Sequence, residues 1–153
     1  MSIKTYQSAQ DKTTDARRIE MVVFQKCNAL LEKASSARTQ PSSSATPLDV
    51  AKQVAQALYQ NDLVWSSLVA DLASDDNKLP EALRAQLISL GLWAQRYADD
   101  VRRAKASFDP LINLNCRMIE GLNASLASAR PNAILPMVEA NHAPSSEPLD
   151  HCS

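Results

Sequence analysis

Apolar side chains recur at alternating steps of three and four residues along most of this chain. Such spacing places them on one side of an α-helix, whereas a strand would need alternation at every second residue. The pattern predicts four helices, at residues 14 to about 37, 46 to about 72, 80 to about 105 and 107 to about 126. The 153 residues include only 2 glycines and 5% aromatic side chains, which disfavours β structure. We therefore predict an all-α protein, a small helical bundle of about four helices.

Polar residues and prolines indicate where these helices begin and how they are joined. Thr46, Pro47 and Asp49 form a strong start signal, because a threonine cap, a first-turn proline and an acidic residue all complement free backbone amides. Short turns separate the last three helices, which predicts that each runs antiparallel to its neighbour. The apolar stripe of the third helix is predicted to comprise Leu83, Leu87, Leu90, Ala94, Tyr97, Val101 and Ala104.

Three polar segments lie outside the predicted packed helices. Residues 1–12 are predicted to be disordered, and the serine-rich stretch at about 36–46 is predicted to be a flexible linker. Prolines spread through residues 127–153 predict a disordered tail, although Ile134-Leu135 and Met137-Val138 could dock locally. The helical domain is thus expected at 13–126, with the first helix tethered to a core of the other three.

The sequence carries none of the residue groupings on which enzymes rely. There is no glycine-rich phosphate loop and no cysteine or serine near a plausible histidine partner. The three cysteines, Cys27, Cys116 and Cys152, do not have the spacing of metal ligands. We therefore expect a protein that is not an enzyme and needs neither a cofactor nor a metal.

The charge is balanced, with 16 basic and 17 acidic side chains and a net charge of -1. Such a chain has no field of one sign to steer it onto nucleic acid or an acidic membrane. No apolar run approaches the roughly 20 residues that span a bilayer, so we expect no membrane insertion and a cytoplasmic location. The basic group Arg96, Arg102, Arg103 and Lys105 either complements the end of its helix or contacts RNA phosphates.

Eight residues are candidates for contact with a partner protein. They are Asn61, Trp65, Leu79, Pro80, Leu90, Gly91, Trp93 and Asn115. A buried amide without a partner costs about 1–3 kcal/mol, so Asn61 and Asn115 either bond within the bundle and fix its register or bond a partner's backbone. Trp65 lies in an apolar stripe, as a core residue would, whereas Trp93 lies off one. Close approach of another helix, from this chain or from a partner, would explain Gly91.

Five spaced segments carry a resemblance to a known family. They read YQNDLVW at 59–65, NKLP at 77–80, LRAQLISLG at 83–91, LINLN at 111–115 and GL at 121–122. Together they resemble the family of the flagellar biosynthesis regulator FlaF. The resemblance extends over about 14–126 and is strongest over 59–122.

The resemblance implies a protein needed for flagellin production and filament assembly. It implies flagellin as the partner, bound as by a secretion chaperone, or alternatively a post-transcriptional regulator that acts on flagellin mRNA or through FlbT. The balanced charge argues against direct contact with RNA. A chaperone would offer an apolar groove to the helical termini of flagellin, and we expect this groove to open when the tethered first helix leaves the other three.

Overall fold

The computed structural model of the protein describes residues 3–128. They form the helices α1 (Ile3–Thr39), α2 (Pro47–Ala73), α3 (Glu81–Arg102) and α4 (Asp109–Ser128). This part of the chain contains no strand, which confirms the predicted all-α class. None of the four helices combines the length and apolar character needed to cross a bilayer. The predicted disordered tail, 127–153, lies outside the described residues apart from 127 and 128, the last two of α4.

The start of α2 follows the signal in the sequence. Thr46 Oγ1 accepts a hydrogen bond of 3.2 Å from the Asp49 backbone N–H, and the Asp49 carboxylate accepts one of 3.0 Å from the Thr46 backbone N–H. This reciprocal pair satisfies amides that the first turn of a helix leaves free. The bonds from Thr46 hold the pKa of Asp49 below its usual value.

α1 is longer than the sequence predicted at both ends. It begins at Ile3, so residues 3–12, which were expected to be disordered, are helical. It ends at Thr39, so the connection to α2 spans 40–46 rather than about 36–46. Residues 3–39 contain neither proline nor glycine, and Pro41 is the first residue that would break a helix. A polar composition alone therefore did not interrupt this helix.

α1 is the central helix of the bundle, whereas the sequence predicted a core of the other three helices to which α1 is tethered and left the placement of α1 open. It packs along both α2 and α4. Its Phe24, Cys27, Leu31 and Ala34 are buried in the main core. Burial of a leucine or phenylalanine side chain contributes about 1.5–3 kcal/mol gross, so the departure of α1 would remove a large part of the core. The connection is long enough to permit many placements of α1. The observed placement is the one in which its apolar side is buried against α2 and α4.

Contacts between helices give their relative directions. Between α1 and α2 they pair Phe24 with Trp65 and Cys27 with Asn61. Asn28 of α1 pairs with Ile112 of α4, and Arg38 of α1 pairs with Phe108, the residue just before α4. Between α3 and α2 they pair Gln95 with Ser66 and Arg102 with Asp62. Within each pair of helices, residue numbers rise along one helix as they fall along the other. α1 is thus antiparallel to α2 and α4, and α3 is antiparallel to α2.

One side of the bundle is open. α3 packs along α2, but it makes few contacts with α4, whereas α1 packs closely with both α2 and α4. Tyr97 Oη donates a hydrogen bond of 3.1 Å to the carbonyl oxygen of Ser107, just before α4 begins. α3 is therefore held mainly by α2 and by the connection that leads into α4, and the side between α3 and α4 is left without close helix packing.

Gly91 allows α3 to lie close against α2. A Cβ atom at this position would lie 2.5 Å from Val69 Cγ2 and 3.1 Å from Trp65 Cε3. Of the two explanations for this glycine, the structure shows close approach by a helix of the same chain.

The substitution Gly91→Ala is expected to lower the free energy of unfolding by about 1–2 kcal/mol, even though alanine is the better helix former by about 1 kcal/mol. The fully buried Trp65 ring cannot move aside freely, because its indole N–H is bonded to Asn115. Gly121→Ala is the matched control, since an added Cβ there has no neighbour within 4 Å, and it should raise stability by up to about 1 kcal/mol. Urea unfolding measures both, and equal stabilisation of the two variants would contradict the close approach.

Candidate partner-binding surface

The eight candidate contact residues do not form one surface. Four of them are buried, namely Asn61, Trp65, Gly91 and Asn115. The other four are exposed, namely Leu79 and Pro80 in the connection before α3, and Leu90 and Trp93 on α3. The buried group therefore contributes to the architecture of the bundle, and the exposed group is the part that a partner could reach.

Asn115 lies at the centre of a buried polar network. Its Nδ2 donates a hydrogen bond of 2.9 Å to Asn61 Oδ1, and its Oδ1 accepts one of 2.9 Å from Trp65 Nε1. The Cys27 thiol donates to the same Asn61 oxygen at 3.5 Å. These bonds join α1, α2 and α4 and fix their axial register. Of the two interpretations of the asparagines, bonding within the bundle is therefore the one observed, and Trp65 is a core residue.

The Cys27 thiol is suited to donating a hydrogen bond rather than to reacting. Burial, with a smaller effect from the charge of Asp62, raises its pKa to about 12. At neutral pH the thiol thus remains protonated, and the thiolate form that acts as a nucleophile or a metal ligand is not populated. Across residues 3–128, no group of three or more histidine, cysteine, aspartate or glutamate side chains could hold a metal ion.

One flank of α3 is uncharged, mostly apolar and mostly exposed. Leu83, Gln86, Leu90, Trp93 and Tyr97 recur at steps of three and four along it, and we call this set the α3 flank. Leu83, Leu90 and Trp93 are 40%, 39% and 38% exposed. Trp93 stacks on Tyr97, with ring centroids 5.0 Å apart and ring planes at 23°. Leu90 and Trp93 also line a shallow depression together with neighbouring small and polar side chains of α3.

The α3 flank lies on the open side of the bundle. Gln95 and Arg102, which contact α2, lie on the opposite side of α3, while Tyr97 of the flank reaches the connection into α4. On α4, the side away from Cys116, which contacts α1, carries the partly buried side chains Leu114, Met118 and Leu122. Helical geometry thus places apolar side chains of both α3 and α4 along the opening.

Charged residues are absent from the α3 flank, and Arg102 of the nearby basic group is paired with acidic side chains. Arg102 forms a salt bridge of 3.1 Å with Asp62 and another with Asp99. It also lies in the last turn of α3, where a positive charge complements the helix dipole. For Arg102, the arrangement favours the structural interpretation over contact with RNA phosphates.

Sequence reasoning misassigned part of α3. Leu83, Leu90 and Tyr97 were predicted to belong to the packed stripe, yet Leu83 and Leu90 are exposed and Tyr97 is only partly buried. The residues of α3 that are buried are Gly91, Ala94, Ala98 and Val101. The spacing of the small residues at 91, 94 and 98 was the available signal, because small side chains let helices approach closely and leave larger ones outside.

Comparison with known proteins identifies the family. A family profile described as flagellar protein FlaF matches residues 2–122, which include the buried polar network and the α3 flank. Searches of curated proteins and of solved structures found no match. The match confirms the resemblance that the five sequence segments indicated. The chain belongs to the FlaF family of flagellar proteins.

Proposed function

We propose that this flagellar protein binds flagellin as a secretion chaperone in the cytoplasm and thereby promotes flagellin production and filament assembly. It acts by binding rather than by catalysis. The observation that carries the proposal is the uncharged, apolar α3 flank on the open side of the bundle, in a chain that belongs to a family of flagellar proteins.

The spacing of the α3 flank suits a helical partner. An amphipathic helix that lies in a groove presents apolar side chains at steps of three and four, and the flank repeats the same steps from Leu83 to Tyr97, with the uncharged Gln86 at one of them. The terminal segments of flagellin form coiled-coil helices in the filament, so before export their apolar sides lack partners. Because α1 belongs to the core, binding on this flank requires no helix to leave the bundle, unlike the groove expected from the sequence.

The energetics favour a reversible complex. Leu83, Leu90 and Trp93 each have about two-fifths of their surface still to bury, which is worth up to about 1 kcal/mol per side chain. Part of that gain offsets the entropy lost when the two molecules associate. Affinity that rests on this flank is therefore modest, as is appropriate for a chaperone that must release its cargo at the export apparatus.

The substitution Leu90→Glu is expected to weaken flagellin binding by at least tenfold, because it places a charge in the middle of the apolar flank. Leu92→Glu is the matched control. Leu92 is a similarly exposed leucine of the same helix, but it lies away from the flank, so affinity should stay within about twofold. Calorimetric titration of monomeric flagellin into each full-length variant measures the effect. Equal losses in both variants, or no binding by the unaltered protein, would refute the proposal.

The alternative of post-transcriptional regulation divides into two cases. Direct action on flagellin mRNA gains little support, since the chain has a net charge of -1 and Arg102, one of the four residues of the basic group, is paired with two aspartates. Action through FlbT would need a surface for a protein, and the α3 flank is a candidate for that role too. Titration of FlbT in place of flagellin, against the same Leu90→Glu and Leu92→Glu variants, separates the two partners.

A further inference from the structure

A second exposed stripe runs along α1, on the side that faces away from the bundle. Its residues follow alternating steps of four and three, and we call the set the α1 outer stripe: Ser8, Lys12, Asp15, Ile19, Val22, Lys26, Ala29 and Lys33. All eight are exposed. Helical geometry places them opposite Phe24 and Leu31, which are buried in the core. Because α2 and α4 pack on the core side of α1, no helix within residues 3–128 covers this stripe.

The α1 outer stripe has the spacing of a coiled-coil seam and an apolar centre. Ile19 is 65% exposed and Val22 is 40% exposed. Asp15 lies four residues before this centre and Lys26 lies four residues after it. Neither of the two charged side chains forms an ion pair in the part of the chain that the structure describes. An acid and a base thus stand at equal distances on either side of an apolar centre, which makes the stripe complementary to a reversed copy of itself.

We propose that two copies of this chain associate through the α1 outer stripe, with their α1 helices antiparallel. Ile19 of each chain packs on Val22 of the second chain, and Asp15 of each chain pairs with Lys26 of the second chain. Every contact occurs twice, so the interface is two-fold symmetric and closes at two copies. This pairing is independent of the proposed function.

The charges distinguish antiparallel from parallel helices. In a parallel pair, Asp15 would face Asp15 and Lys26 would face Lys26, so like charges would meet on both sides of the apolar centre. In the antiparallel pair, both of these contacts join opposite charges. The charge pattern of the stripe therefore selects a second copy in the reversed direction.

The same pattern selects one register of the antiparallel pair. In the proposed register, Lys12 faces the uncharged Ala29 of the second chain, and Lys33 faces the uncharged Ser8. A shift by one heptad in either direction would place Val22 against a lysine, either Lys12 or Lys26. The proposed register alone brings the apolar residues together and leaves no like charges level with each other.

The geometry of the bundle permits this pairing and keeps it weak. The stripe runs for about 38 Å along α1 at the helical rise. Only Ile19 and Val22 supply apolar contacts at its centre, which is typical of a transient interface rather than an obligate one. α3 does not pack against α1, so pairing leaves the α3 flank free on the far side of each bundle. The associated form thus carries two α3 flanks that face away from each other.

Sedimentation velocity of the full-length chain tests the pairing. Between about 5 and about 500 µM, the sedimentation coefficient should rise from the value of a monomer towards that of a dimer. Ile19→Asp should raise the dissociation constant at least tenfold, because it places a carboxylate against Val22 of the second chain. Leu48→Asp is the matched control: Leu48 is 61% exposed but lies on α2, so its constant should stay within about twofold. A monomer at every concentration, or equal losses in both variants, would overturn the pairing.

Charge reversal tests the direction of the two helices. Asp15→Lys and Lys26→Asp should each weaken association several-fold, because each converts both of the opposite-charge contacts into like-charge ones. The double variant restores opposite charges and should recover the association of the unaltered chain. Both side chains are exposed, so these variants leave the core intact. In a parallel pair, neither single variant changes the number of like-charge contacts. Unchanged association in the single variants, or no recovery in the double variant, would overturn the antiparallel arrangement.

Discussion

Deletion of residues 1–45 is expected to abolish cooperative unfolding of the remaining chain. α1 packs along both α2 and α4, and its removal exposes the buried faces of those helices, including Leu58, Trp65 and Leu111. With α1 gone, α4 would keep only its few contacts with α3 and the bonds of Asn115. Urea unfolding followed by near-ultraviolet circular dichroism, which reports on tertiary packing around Trp65, measures the loss.

Deletion of residues 1–12 is the matched control for this truncation. The described side chains of residues 3–12 are exposed, and the described buried residues of α1 begin at Phe24. The free energy of unfolding should therefore change by less than about 1 kcal/mol. Leu31→Ala disturbs the same part of the core more mildly. It should lower the free energy of unfolding by about 2–5 kcal/mol, as do other truncations of fully buried leucines. A sharp unfolding transition in the chain of residues 46–153 would instead show that α2, α3 and α4 form a core without α1, as expected from the sequence.

The sequence was sufficient to predict the elements but not their arrangement. Apolar spacing located the four helices of residues 3–128, although not the ends of α1, and the capping box of Thr46 and Asp49 located the first turn of α2, because both signals are local in the chain. The position of α1 depends on which neighbours bury Phe24 and Leu31, and an apolar stripe shows only that some neighbour must do so. The connection at 40–46 is compatible with several placements, so only tertiary packing could decide among them.

The candidate surface could likewise be predicted only in part, because it too depends on tertiary packing. Leu90 and Trp93 were identified as contact residues, and they are exposed. Which of two adjacent apolar stripes of α3 packs against α2 depends on partners far away in sequence, such as Ser66 and Asp62. The two asparagines were recognised as unusual, but their bond joins residues 54 positions apart, and sequence spacing alone could not establish that they are partners.

The substitution Asn115→Leu is expected to lower the free energy of unfolding by about 2–5 kcal/mol, because it removes the partners of two buried groups at nearly constant volume. The Trp65 indole N–H loses its acceptor, and the Asn61 carbonyl oxygen loses its stronger donor and keeps only the Cys27 thiol. Guanidinium unfolding at equilibrium measures the change. Asn113→Leu, at an exposed position of the same helix, should change stability by less than about 0.5 kcal/mol.

Combining Asn115→Leu with Asn61→Leu and Trp65→Phe should recover much of the lost stability. Replacement of these three polar side chains by apolar ones leaves only the weak thiol donor of Cys27 unpaired in the network. The same triple variant loses the only bonds described between α2 and α4 side chains within residues 3–128, so its amide resonances should show several helix registers in place of one. Purely additive destabilisation in the triple variant would mean that the three residues act separately. In that case the register of the bundle would be set by apolar packing alone.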